Sequence, residues 1–382
     1  MKFMSSRDGR GKKMERPDLG TKSEEGSERF DTSVGYFEIL RKSFETAASD
    51  FGVVERHYKI ANKIIELRFA GSSLLSVITP AIEHLAVQNE GVVDFTVCLW
   101  DGLSMKSKLP FPPWHNKGLP LKDEQKRYSD KRMTIIIDSG PSRTCFNLLD
   151  KQQNLALVWV DDAKNMPYYD VGAPLRDLLY CWLRIQNVQF VHAGAVGVDD
   201  RGVLLVGKGG SGKSTASLAC LLGGLKYASD DYVLIQNNPP RVSSIYSTVK
   251  LRSDAINKFP ALEKMFKNQR FPGAQKTVLF LNDEFSGKIS QGFAIHAILI
   301  PKITLREETR LRRASAIESL VALAPSTILQ LAGESDGQKD MGELAALVRA
   351  VPSYFLELGS NISEIPEVIL KFIKEGSLND GK

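Results

Sequence analysis

Residues 207–214 read G-K-G-G-S-G-K-S and fit G-x-x-x-x-G-K-[ST] at every position. No other stretch constrains the fold as tightly. The apolar run "GVLLVG" leads into it, and "KSTASLACLLGG" follows with helical spacing that stops at Gly223 and Gly224. A strand, a glycine-rich turn and a helix N-terminus in that order make an anion nest. The glycines let successive N–H groups turn inward, and the helix dipole adds its positive end. The expected nucleotide-binding residues are Gly207, Lys208, Gly209, Gly210, Ser211, Gly212, Lys213, Ser214 and Thr215. Lys213 is directed at the β- and γ-phosphates and Ser214 at Mg²⁺, so ATP and Mg²⁺ are the expected cofactors.

Phosphate loops serve several classes of protein, and the rest of the chain narrows them. A GTPase needs N-K-x-D to read guanine, and neither "ANKIIE" nor "HNKGLP" supplies the Asp. No LSGGQ-like signature of a transporter ATPase is present. The nearest match to the apolar strand and Asp-Glu of a motor is "VLFLNDEF" (278–285), where Asn282 intrudes, so it reads as a strand running into a turn. "LVWVDD" (157–162) reads as a strand end. "YASDDYV" is different, because Asp230 and Asp231 fall where a strand beside the loop would end. Two carboxylates there can divide the work of a kinase. One takes the acceptor's proton and the other holds the metal. Either could be the base, and the other would join Ser214 at the metal. Of the downstream cations, Lys250 in "YSTVKL" is the better candidate to offset phosphoryl charge, and Arg252, Lys276, Arg310, Arg312 and Arg313 are others. "REETRLRR" (306–313) reads as a solvated charge run.

From about 188 to 240 the chain resembles the HPr serine kinase family, whose nucleotide-binding fold is shared with phosphoenolpyruvate carboxykinases. The residues that carry the resemblance are "VHAGAV" with His192, "GVLLVGKGGSGKST" and "SDD". In that family a histidine precedes the phosphate loop by one β-hairpin, and an Asp-Asp pair follows the loop's helix. The resemblance implies a catalytic set of Asp230, Asp231, His192 and Lys213, with Asp230 as the base, Asp231 at the metal beside Ser214, and His192 orienting an aspartate. It implies ATP- and Mg²⁺-dependent transfer to a hydroxyl, foremost a serine of a peptide or protein. A Glu-x-Arg-Gly-x-Gly stretch that the HPr kinases proper carry downstream is not found after Asp231, so the chain is more similar to divergent HPr-kinase-like serine kinases. A small-molecule hydroxyl acceptor, or a nucleotide-binding regulatory module or ATPase without an acceptor, stays open.

The chain of 382 residues is too long for one ordinary core. Residues 1–33 are polar and charged and are expected to form a disordered tail. Residues 34–187 read as a strand-rich α+β domain without a catalytic constellation, and 188–376 as an α/β phosphate-loop domain with a mixed sheet. "SSLLSVITPAIEHLAV" has helix-like spacing interrupted by Pro80, and "QFVHAGAVGV" reads as one strand. Fifty basic residues against 45 acidic ones leave a net charge of +5, which does not imply a nucleic-acid partner. Cys98, Cys145, Cys181 and Cys220 lie in apolar runs without a CxxC pair and read as buried thiols of a cytoplasmic protein. No apolar leader and no run long enough to span a membrane appear in the sequence. A homo-oligomer stays open.

Overall fold

The computed structural model describes residues 33–376 apart from 89–90, 111, 113–128, 141–142, 268–270, 272–275 and 329–336. The expected tail therefore lies outside the described residues, save Ser33, which begins a helix. The architecture is α/β with mixed sheets.

The first sheet has seven strands: β1 (Val53–Ile60), β2 (Lys63–Ala70), β3 (Ala86–Val87), β4 (Phe95–Asp101), β5 (Met133–Gly140), β6 (Arg143–Asp150) and β7 (Leu155–Val160). Their order is β3-β1-β2-β4-β7-β6-β5, with β2, β4 and β7 parallel to one another. The β1–β2 hairpin turns on Ala61 and Asn62, both at positive φ (48° and 65°), the condition for a two-residue turn that matches strand twist. Helix α1 (Ser33–Phe51) places Tyr36, Phe37, Leu40, Phe44 and Ala47 on one face. That face packs with Trp100, Met133, Phe146 and Trp159 on one side of the sheet. Helix α2 (Arg176–Ile185) covers the other side through Leu178, Leu179, Trp182 and Leu183, with Trp182 stacked on Phe95 at 4.5 Å.

The second sheet has nine strands. They are β8 (Gln189–Val191), β9 (Gly194–Val198), β10 (Arg201–Leu205), β11 (Lys226–Ser229), β12 (Val233–Asn237), β13 (Pro240–Ser244), β16 (Gly292–Ile303), β17 (Arg310–Ala314) and β18 (Ser353–Leu358). The order runs β11-β9-β10-β16-β13-β12-β8, with β18 parallel to β16 and β17 on its outer side. A separate two-stranded ribbon is formed by β14 (Thr248–Arg252) and β15 (Lys276–Phe280). Helix α3 (Lys213–Leu222) packs one face together with α6 (Glu364–Glu375). Helices α4 (Ala316–Ile328) and α5 (Gly337–Ala350) pack the other.

Two expectations from the sequence are corrected. The segment with helix-like spacing around Pro80 is a four-residue helix (Leu75–Ile78) followed by 3₁₀ turns at 79–81 and 83–85. Pro80 has no N–H to give, so the α-helical hydrogen-bond ladder stops there and the chain continues in 3₁₀ turns. "QFVHAGAVGV" is two strands, β8 and β9, because the chain breaks at His192 and Ala193.

The two sheets share apolar packing. One cluster runs from Tyr58 and Trp182 through Phe190, Tyr232, Leu234, Ile245 and Tyr246, crossing the expected boundary at 187. Polar ties accompany it. The buried Asp340 of α5 accepts from Tyr180 Oη (2.9 Å) and Arg184 Nε (3.0 Å), and its backbone carbonyl accepts from Gln189 Nε2 (3.0 Å). Residues 188–376 expressed alone should therefore aggregate. The cut uncovers six buried side chains, among them Phe190, Tyr232 and Tyr246, each worth roughly 1.5–3 kcal/mol of burial. Size-exclusion chromatography checks this, and a monodisperse, folded fragment would refute it.

Candidate active site

The phosphate loop leaves the sheet from β10, which lies parallel to β16, and Val206 N–H donates to Leu299 O at 2.9 Å. Gly207, Gly210 and Gly212 have φ of 147°, 80° and 104°, so the loop depends on glycine for its path. A Cβ on Gly212 would also meet Leu358 Cδ1 at 2.5 Å. Lys208, Gly209 and Gly210 are exposed, while Ser211, Ser214 and Thr215 are half-buried. Lys213 is buried and folds back over the loop, donating to Gly207 O at 2.6 Å and Lys208 O at 3.3 Å. Burial pushes its ammonium pKa down, and the nearby Asp231 and Asp230 partly offset that. The first turn of α3 has no side-chain cap, so its N–H groups face the loop.

The aspartates arise from a break in the sheet. Segments 189–198 and 226–237 run antiparallel as one ribbon. Ala195 stands opposite Ser229 on one side of the break, and Val191 opposite Val233 on the other. Both strands stop pairing at the same level, and His192, Asp230 and Asp231 lie there. Gly194 makes the close approach possible, since a Cβ there would lie 2.6 Å from Ser217 Oγ and 3.4 Å from the Asp230 Cα. His192 Nε2 meets Asp231 Oδ1 at 2.9 Å, and its backbone N–H donates to Thr327 Oγ1 at 3.3 Å. Lys250 Nζ donates to Asp231 Oδ2 at 2.8 Å.

The two carboxyl groups differ in environment. Asp230 is 1% exposed, with Tyr227 Oη 3.4 Å from Oδ1, and its Oδ2 is buried without a hydrogen-bond partner. Burial first, and then the charge of Asp231, push its pKa up to about 6, against the pull of Ser214 and of Lys250. The side chain of Asp231 is 23% exposed. Burial raises its pKa, but Lys250 and His192 outweigh that and hold it well below the usual carboxylate range.

A thermal experiment follows from Asp230. The folded protein holds its proton up to about pH 6, whereas an unfolded carboxyl loses it near 3.8. The native state thus binds more protons between those values, and stability falls as pH rises through them. Asparagine does not titrate. Without metal or nucleotide, the Tm of Asp230→Asn should exceed that of the parent by a margin that widens from pH 3.8 to about 6 and then levels off. A margin that narrows over that window would contradict the assignment.

The N-terminal half reaches the site through its backbone. Tyr169 O lies 3.5 Å from Lys250 Nζ, Gly172 O accepts from Thr248 Oγ1 at 2.7 Å, and Pro174 O accepts from Tyr246 Oη at 2.9 Å. Tyr232 stands between Arg176 (5.8 Å from its ring centroid) and Lys250 (5.7 Å). Sequence reasoning missed Tyr227, Tyr232 and the 167–174 segment, because carbonyl groups leave no signature in a sequence. The remaining candidate cations divide. Lys276 lies close enough to act on the charge of Lys213, opposite Arg252 on the β14–β15 ribbon. Arg310, Arg312 and Arg313 bond Glu308, Glu357 and Tyr354 around β17. Asp283 and Glu284 sit on a four-residue helix, and Asp162 caps a 3₁₀ turn. All four cysteines are free thiols. Cys98 and Cys220 are buried, but Cys145 and Cys181 are half-buried, which corrects the expectation that all four are interior. Both lie at the margin of the apolar cluster, where their segments meet solvent on one side.

Among the described residues no helix is long and apolar enough to cross a membrane. No protein-family model matches the chain, and no curated protein does. Among solved structures, it is similar to the Hpr(Ser) kinase/phosphatase from Coxiella burnetii, at 13% identity over 49% of this chain and 95% of that one, with a TM-score of 0.27.

Proposed function

We propose that this protein is an ATP- and Mg²⁺-dependent phosphotransferase that moves the γ-phosphoryl group to a hydroxyl, foremost a serine of a peptide or protein. The observation that carries the reading is the meeting of a phosphate loop with an aspartate held by both His192 and Lys250. A bare nucleotide-binding module has no use for that second cluster.

The residues fit a hard cation. A half-buried hydroxyl, Ser214, lies against a carboxyl, Asp230, one of whose oxygens is buried and lacks a partner. Oxygen donors of this kind suit Mg²⁺, which takes its other ligands from phosphate and water. No group of three or more His, Cys, Asp or Glu residues that could hold a metal occurs among the described residues, so phosphate oxygens would complete the set. Mg²⁺ there would neutralise charge on the phosphates.

The sequence expectation gave the base role to Asp230 and the metal to Asp231. Access and contacts favour the reverse. Asp230 is closed off from solvent and touches Ser214, whereas Asp231 is reachable and is oriented by His192. Geometry precedes pKa in choosing a base. In this reading the loop amides and Lys213 hold the phosphates, Asp231 accepts the hydroxyl proton, and His192 fixes the angle of its carboxylate. Purified full-length protein with γ-labelled ATP and Mg²⁺ tests it. Label on a polypeptide or small-molecule hydroxyl supports the reading. Release as free phosphate alone, or none at all, favours the nucleotide-binding module or ATPase.

A further inference from the structure

In the unliganded molecule each oxygen of Asp231 already has a partner, His192 on Oδ1 at 2.9 Å and Lys250 on Oδ2 at 2.8 Å. Each carboxylate oxygen can accept a second hydrogen bond, but a cation resting on Oδ2 makes the carboxylate a weaker base, so an acceptor hydroxyl meets a better one when a partner leaves. His192 is poorly suited to leave. Its ring and the Lys250 side chain are equally buried, but the His192 backbone is tied to Thr327. Lys250 carries its charge on a flexible four-carbon stem. Beyond Asp231, among the described residues its ammonium meets the Tyr169 carbonyl at 3.5 Å and the face of Tyr232, and its charge also acts on Asp230. Its stem runs past Gly172, where a Cβ would come within 2.8 Å of Lys250 Cε.

Lys250 is also on the right element. Its neighbours Val249 and Leu251 pack into the same apolar cluster as Ala216 and Leu218 of α3, the helix that begins at the phosphate loop. Lys213, the lysine of that loop, is close enough to Asp231 and Asp230 for their charges to act on it. Phosphate arriving at Lys213 therefore arrives beside the Lys250–Asp231 pair, carrying more negative charge than one carboxylate.

We propose that Lys250 is a catalytic counter-ion that changes partner. It rests on Asp231 while the nucleotide site is empty and moves to the γ-phosphoryl group when ATP binds, opening Asp231 Oδ2 to the acceptor hydroxyl. This rests on the phosphotransferase reading above. In the transfer, the acceptor oxygen bonds to the γ-phosphorus as the bond from that phosphorus to the bridging oxygen breaks. ADP leaves with the electron pair, and the hydroxyl proton passes to Asp231. Lys250 stays an ammonium throughout and offsets charge on the phosphoryl oxygens. The base is thus exposed only when there is phosphate to transfer.

Calorimetric titration of the full chain with Mg²⁺·ADP and with the Mg²⁺ complex of the β,γ-imido analogue of ATP tests the exchange without any acceptor. The parent should prefer the triphosphate. Lys250→Met should lose that preference by about tenfold, the worth of one charge-assisted hydrogen bond, with ADP affinity unchanged. Where an acceptor is in hand, kcat should fall about 10²–10³-fold while KM for the acceptor barely moves. If Lys250→Met fails to fold, Lys250→Gln keeps the stem and a donor for Asp231 and must show the same loss. If the variant weakens both nucleotides equally, or neither, Lys250 stays on Asp231 and the proposal falls. Failure of the phosphotransferase reading shows separately, as absent transfer by the parent.

Discussion

Asp231→Asn is expected to bind Mg²⁺·ATP as well as the parent does and to transfer phosphate about 10²–10⁴-fold more slowly. Asparagine keeps the shape and an oxygen for Lys250 or His192, but it cannot take a proton. The loop and Ser214 contacts are untouched, and Lys250 is no longer held by a carboxylate and stays available to the γ-phosphoryl group, so affinity is not lost. Single-turnover transfer measured beside nucleotide affinity separates the two effects. If excess Mg²⁺ restores the rate of Asp231→Asn but not that of Asp230→Asn, the two aspartates have each other's roles. Parental rates in both variants would reduce the pair to a polar turn.

Lys213→Ala should lower turnover by roughly 10²–10³-fold and weaken ATP binding with it. Lys213 is the loop's own cation, and its ammonium now rests on the Gly207 and Lys208 carbonyls, which it would exchange for phosphate oxygens. Removing it leaves those carbonyls without their donor and the β- and γ-phosphates without a point charge. Because binding and rate fall together, this variant differs in kind from Asp231→Asn. Equilibrium dialysis with labelled ATP, run alongside the transfer assay, distinguishes them. A variant that turns over at the parental rate would remove the loop from the mechanism.

The course of the 207–214 loop was legible in the sequence because it is set by backbone and by neighbours along the chain. Glycine at 207, 210 and 212 announces the φ values that the structure shows. The surroundings of Asp231 were less legible. His192 is remote in sequence and is brought close only because two strands break at one level. Nothing in "VHAGAV" says that pairing stops at His192. Lys250 looked suitable as a cation in an apolar strand, but its bond to Asp231 depends on a ribbon lying outside the main sheet. The contribution of residues 167–174 is made by carbonyls and by the missing Cβ of Gly172, which no residue pattern signals. In the first sheet, the end of β7 was read as a strand from the apolar run "LVWVDD". The helix of residues 33–51 was not, although Tyr36, Phe37, Leu40, Phe44 and Ala47 share one face.

The ribbon of 189–198 and 226–237 also joins two mechanical regions. Near the loop, Val196 and Tyr227 pack with α3. Beyond the break, Phe190, Tyr232 and Leu234 pack with the N-terminal sheet. His192 and Asp231 are the seam between these regions. A shear of the 207–214 loop against the first sheet is felt at an imidazole–carboxylate contact of 2.9 Å, next to the Thr248–Gly172 and Tyr246–Pro174 hydrogen bonds. The geometry of that contact therefore registers how the two halves of the molecule sit on each other, and a substitution far away in their shared core can reach the candidate site by changing it.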